Sequence, residues 1–267
     1  MNLERRGVST QRRKGARAQR RKGIFFASLR PCVFAFLSPL SGALALGSAS
    51  SGGGQTPRPP EPAVERLEDG RVRVEGILID PSNRELRVPG FRNTATVLEY
   101  LANARQGHKS YESVLELDAT ATGFNVAMIL LGLDSSRSTP SRHKFDPEPP
   151  RGDPVEIWIE WKEAKTGETV RVRAEELIYN AQTERTLEEG RWVYTGSVFL
   201  PGGEYMAEVD GVLIGFMHCP ESIIDSPRAL DAQYGLYQVN PALSRRGLEP
   251  GTEVWVTVRA LFGQTGQ

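Results

Sequence analysis

The chain has 267 residues, with 33 Lys plus Arg against 33 Asp plus Glu and only two cysteines. The balance hides two unlike segments: ten basic residues but a single acid, Glu4, precede Leu46, which leaves 23 basic against 32 acidic residues for the remainder. An acidic remainder without a Lys/Arg cluster argues against nucleic acid as a partner, and two cysteines far apart exclude zinc ribbons, iron–sulfur ligation and a disulfide-stapled scaffold.

In chain order, the first element is an address. Met1 to Lys22 is strongly basic and leads into an apolar run, clearest from Val33 to Leu46, which is the segment order of a signal peptide over residues 1–46. Ala43-Leu44-Ala45 and Gly47-Ser48-Ala49 offer small-residue cleavage sites, and Arg20-Arg21 ahead of Ile24-Phe25-Phe26 resembles a twin-arginine signal. Retention as a membrane anchor is the alternative, although Arg30, Pro31 and Pro39 interrupt the apolar stretch. No cysteine follows the apolar run to accept a lipid, and Cys32 lies at its start. Residues 47–63, rich in Ser, Gly and Pro, read as a flexible tether. The expected location is therefore periplasm or cell envelope, with secretion as a variant.

Residues 64–263 read as one β-rich domain. Val72, Val74, Ile77 and Ile79 alternate with Arg71, Arg73, Glu75 and Leu78, and Val155, Ile157, Ile159 and Trp161 with Glu156, Trp158 and Glu160; period two means half-buried strands. The second run turns at Lys165-Thr166-Gly167 into Val170 and Val172, predicting a hairpin. Further strands are expected over Ser113 to Leu117, Arg191 to Leu200, Tyr205 to Val209, Val212 to Met217 and Thr252 to Leu261. One helix is expected from Phe124 to Leu131, capped by Thr122, stopped by Gly132 and apolar all round, hence buried. Prolines between Ser135 and Pro150 mark a long excursion from the core. The expected fold is α+β, mainly β: an antiparallel sheet or sandwich with one buried helix.

Phosphate-cradling, dinucleotide, His-Glu-x-x-His and calcium-loop motifs are all missing, and no cofactor is expected. His218-Cys219 is the place to look for an enzyme, since an imidazole beside a thiol lowers the thiol pKa; on a continuing strand, however, the two side chains point to opposite faces, and a structural Cys219 is the preferred reading. Asp118, Asp134, Asp210, Asp225 and Asp231 are read as turn and cap residues rather than paired catalytic carboxylates. Trp158, Trp161, Trp192, Tyr194 and Trp255 fall on strands, where core packing competes with stacking on sugars or peptides. Lys109 and Glu112, a charged pair opening a strand, are the candidate binding patch; a solvated turn is the plain alternative.

Gly107-His108-Lys109-Ser110-Tyr111-Glu112-Ser113 running into the helix resembles the YdjY domain of bacterial exported proteins. So do Gly152-Asp153-Pro154-Val155, Ala174-Glu175-Glu176-Leu177-Ile178, Val193-Tyr194-Thr195-Gly196-Ser197, Ile223-Ile224-Asp225 and Asn240-Pro241. The resemblance spans roughly Arg71 to Arg259, and Tyr111 departs from it where histidine is expected. It implies a compact exported domain and no established reaction. The expected function is a non-catalytic binding or structural module with an envelope protein or polymer as partner. A redox or metal-dependent accessory enzyme using Cys219 and His218 is the alternative. Membrane contact is expected only if the leader stays uncleaved.

Overall fold

A computed structural model describes residues 62–231, 233 and 235–261; the leader and most of the tether lie outside the described residues. Alternating sequences build the longest strands. In β4 (Glu85–Arg92), β7 (Asp153–Lys162) and β15 (Glu253–Ala260), the inward set Leu86, Val88, Val155, Ile157, Ile159, Val254, Val256 and Val258 is fully or almost fully buried. β15 lies between β4 and β7, antiparallel to both, with Val256 opposite Val88 and Ile159. Each inward valine of β15 thus faces a residue on both neighbouring strands, and burying one such side chain contributes about 1.5–3 kcal/mol.

The remaining strands are shorter. In chain order they are β1 (Val64–Arg66), β2 (Val72–Val74), β3 (Ile77–Asp80), β5 (Tyr100–Asn103), β6 (Ser113–Leu117), β8 (Thr169–Arg173), β9 (Ile178–Asn180), β10 (Arg185–Thr186), β11 (Trp192–Tyr194), β12 (Val212–Gly215), β13 (Ile224–Asp225) and β14 (Tyr237–Val239). Pairing runs β4-β15-β7-β11-β13-β12-β5-β6 and returns from β6 to β4, which closes an eight-stranded barrel. β1, β2 and β3 extend outward from β4, β8 pairs with β7, and β10-β9-β14 form a separate small sheet. The long strands change partner midway. Glu85 to Arg87 pair with β3 and Gly90 to Arg92 with β6, while Asp153 to Val155 pair with β11 and Trp158 to Lys162 with β8.

The antiparallel sheet or sandwich expected from the sequence is therefore wrong: the domain is a closed barrel, and it is mixed. β5 pairs with β6 in parallel, and β12 with β13. Alternation tells which side of a strand is buried and nothing about which edge it pairs with, and closure is an edge property.

Among the described residues three short α-helices replace the single one expected: α1 (Ala121–Leu130), α2 (Met206–Asp210) and α3 (Pro241–Ser244). α1 starts three residues earlier than the apolar run suggests. Its cap is Thr120, whose hydroxyl accepts the Gly123 amide at 2.9 Å while itself held by Glu75. Gly132, at φ +98, follows its end as expected. α1 is not buried all round, because Ile129 and Leu130 are 52% and 42% exposed. The segment at Tyr205 to Val209, expected as a strand, instead holds α2. Glu208 on α2 accepts hydrogen bonds from the amide and hydroxyl of Thr122, tying the two helices together.

Candidate functional site

Two parts of the domain hold the residues that carry chemistry: a buried polar cluster and an open aromatic face. The polar cluster centres on Tyr100 of β5, buried in a small group of its own apart from the main hydrophobic core. Its hydroxyl donates to Glu221 Oε1 at 2.8 Å, and its ring packs with Cys219 and Val212. Burial above all, then the neighbouring Cys219 and Glu221, pushes the Tyr100 phenol far up, so it stays a neutral donor.

His218 and Cys219 follow the end of β12. His218 takes a left-handed backbone, φ +50, so the strand does not continue through it. The two side chains nevertheless diverge. His218 Nδ1 lies 2.7 Å from the Asp146 carbonyl, which only accepts, so Nδ1 carries the proton. Cys219 Sγ bonds to Ser222 Oγ at 2.7 Å. Burial, reinforced by Asp225 and Glu221, raises the thiol pKa well above its ordinary value, the reverse of what a nucleophile needs. Among the described residues no three His, Cys, Asp or Glu side chains gather as a metal-binding group. The proline-rich segment closes over this region: the Phe145 amide donates to the His218 carbonyl at 2.9 Å, and Lys144 pairs with Glu99 while lying 5.5 Å from the Tyr100 ring centroid.

Asp225 is the one aspartate of the five that is wholly buried. It accepts from the Cys219 amide at 2.9 Å and the Ser226 amide at 2.8 Å. Burial nevertheless dominates and pushes its carboxyl up to about 7. An unfolded chain releases this proton near 3.8, so between the two values the folded state binds a proton the unfolded state does not. The stability this group contributes is full below the unfolded value and is lost as pH rises through the folded one. Urea unfolding from pH 4 to 8 is expected to show a decline toward neutrality that Asp225→Asn flattens; an equal decline in the variant would assign it to other groups. Asp134 caps a 3-10 turn through the Ser136 amide, and Asp231 accepts from the Gln233 amide, as local aspartates do.

Lys109 and Glu112 form an ion pair at 3.2 Å in the turn that opens β6, with Lys109 half-buried and Glu112 buried. Burial works to lower the Lys109 pKa, and the Glu112 partner more than offsets it, so the net shift is upward. The turn is tied to β5 by the Glu99 amide, which donates to the Glu112 carbonyl at 2.9 Å one residue ahead of Tyr100. Tyr100, Glu221 and Lys144 had no signal in the sequence, because nothing local marks a tyrosine as the hub of a cluster built from distant segments.

Outside, the aromatic residues divide clearly. Trp161, Trp192 and Tyr194 are buried; the Trp161 indole donates to the Arg246 carbonyl and the Tyr194 hydroxyl to Asn125 of α1. Trp158 and Trp255 point outward from β7 and β15. Arg171 and Arg173 cover Trp158, at 4.6 and 5.0 Å from its ring, whereas Trp255 is 43% exposed with only Arg87 over it at 5.2 Å. Ion pairs lace this face, including Arg87–Glu160 at 2.6 Å and Arg171–Glu160 at 3.2 Å. Trp255 stands between two open depressions, of about 520 and 340 Å³, and lines both. Phe91, exposed on β4, lines the smaller depression beside it.

Comparison with curated proteins and with solved structures gives no match. The YdjY domain profile does match, over residues 77–259, which takes in the eight barrel strands up to the penultimate residue of β15 and leaves β1 and β2 ahead of it. A match over more than half of the sequence, carried by the strands that close the barrel, makes this chain a member of the YdjY domain family.

Proposed function

We propose that this is an exported protein of the cell envelope whose YdjY barrel is a non-catalytic binding or structural module, engaging an envelope protein or polymer. The observation that carries the reading is the contrast between inside and outside. The side chains with reactive chemistry, Cys219 and Asp225, are buried and bonded to their neighbours, whereas the open aromatic surface is suited to binding. The basic-then-apolar leader supports export, and the acidic remainder supports a partner other than nucleic acid.

Native mass spectrometry of the protein recovered from the envelope fraction of its own host, compared with its mass after denaturation, tests this. The expected mass begins near Leu46 or Ser50 and does not change on denaturation. A metal or redox cofactor released on denaturation would favour an accessory enzyme built on Cys219 and His218. An uncleaved mass would turn the leader into an anchor, and recovery from the cytoplasm alone would overturn export.

A further inference from the structure

The geometry points to the outer face of β4, β15 and β7 as a glycan-binding surface, with Trp255 as the stacking platform and an uncharged sugar polymer as the ligand. This deepens the binding reading above and rests on it. The strand period puts Val254, Val256 and Val258 in the core and Glu253, Trp255 and Thr257 on the opposite side. The other outward tryptophan, Trp158, is partly covered by Arg171 and Arg173. Trp255 stays 43% exposed, and Phe91, opposite Glu253 on the adjacent strand, stays 41% exposed. Diagonal neighbours across a strand pair are roughly 7–8 Å apart, so Trp255 and Phe91 lie beside each other on one outward aromatic patch.

The polar rims fit the same ligand. The larger depression presents Arg87, Glu160 and Lys162, and the smaller presents Arg105, Glu116 and Asp118, with Glu253 shared between them. Carboxylate and guanidinium groups each offer two coplanar polar atoms, the arrangement that hydrogen-bonds vicinal hydroxyls. Arg87 already pairs with Glu160 and Arg105 with Asp118, so a hydroxyl-rich ligand adds hydrogen bonds without leaving an ion stranded. Sign selects further. Four carboxylates against three cations disfavour an anionic polymer, and the Arg87 guanidinium over Trp255, with Lys162 and Arg105 nearby, disfavours an added cation. Arg87 lines only the larger depression, so the ring is approachable from the smaller one.

Calorimetric titration of the intact mature protein with cellohexaose, chitohexaose, laminarihexaose and maltohexaose tests the proposal. Saturable binding of at least one is expected, about tenfold or more weaker in Trp255→Ala and largely restored in Trp255→Phe, with circular dichroism unchanged. If Trp255→Ala fails to fold, saturation transfer from the bound sugar to the Trp255 indole in the wild-type protein replaces it. No binding by any of the four, wild-type affinity in Trp255→Ala, or no transfer to that indole overturns the proposal. So does capture of a basic hexapeptide in place of sugars. A cleaved protein in the envelope that binds no sugar would defeat this inference and leave the broader function standing.

Discussion

Glu175→Ala is expected to lower the unfolding free energy by about 3–5 kcal/mol, the cost of leaving buried charges without their partner. Glu175 is 1% exposed. Its carboxylate accepts from Arg173 Nε at 3.3 Å, Arg173 Nη2 at 3.2 Å, Arg228 Nη2 at 2.8 Å, Trp192 Nε1 at 3.0 Å and the Gly190 amide at 3.2 Å. Removing it strands an indole N–H and leaves the two guanidinium groups to repel each other. Arg173 retains Glu156 at 2.5 Å and the Gly190 carbonyl at 2.7 Å, so it is partly held. Arg228 is the more vulnerable: burial lowers its pKa despite Glu175, and its remaining partners would be the Ser226 hydroxyl, backbone carbonyls and the Trp192 ring, none of them an anion. Glu175→Gln should fall closer to alanine than to wild type, because its amide nitrogen would face donors. Glu189, exposed and 3.9 Å from Arg173, supplies the control: Glu189→Ala should change stability by less than about 1 kcal/mol. Equal effects of Glu175→Ala and Glu189→Ala in urea titrations would remove the argument.

Gly90→Ala is expected to cost about 3 kcal/mol or more, at or beyond the upper end of ordinary overpacking. A Cβ at this position would lie 2.3 Å from the Glu116 carbonyl and 2.8 Å from Leu117 Cδ2. Much of what it meets is the backbone of β6, so no side-chain rotation relieves the clash. Gly90 sits opposite Leu117 in the β4–β6 pairing, the contact that closes the barrel. The variant should therefore lose amide-exchange protection first along β6, while Val256 and Val258, between β4 and β7, remain protected. Gly202→Ala is the matched control, since a Cβ there meets only the end of the Glu204 side chain at 3.4 Å. Uniform loss of protection in Gly90→Ala would mean that the barrel has no separable seam.

Much of the local structure was legible because it is written locally. The β7–β8 hairpin, the inward face of β15 and the end of α1 at Gly132 follow from alternation and from glycine's access to positive φ. β4 was missed because Pro89 and Gly90 interrupt its pattern, although Pro89 falls where the strand changes partner. β5 was missed because Tyr100 to Asn103 are all buried, which erases the alternation. α2 was read as a strand because five residues carry too little periodicity to separate 2 from 3.6.

The candidate sites divide in the same way. Sequence alone determined that Trp255 lies on a strand opposite an inward valine series, and that Cys219 has no neighbouring cysteine to pair with. Only the tertiary structure decided that Trp255 stays open while Trp158 is covered, because that depends on which arginines the adjacent strands bring alongside. It also decided that Glu175 meets Arg228 and that Tyr100 meets Glu221, contacts between segments far apart in the chain. Side-chain type and spacing fix which face of a strand avoids water. The closing of the barrel and the company each charged group keeps depend on edge pairing, and edge pairing is set by the packing of the whole domain.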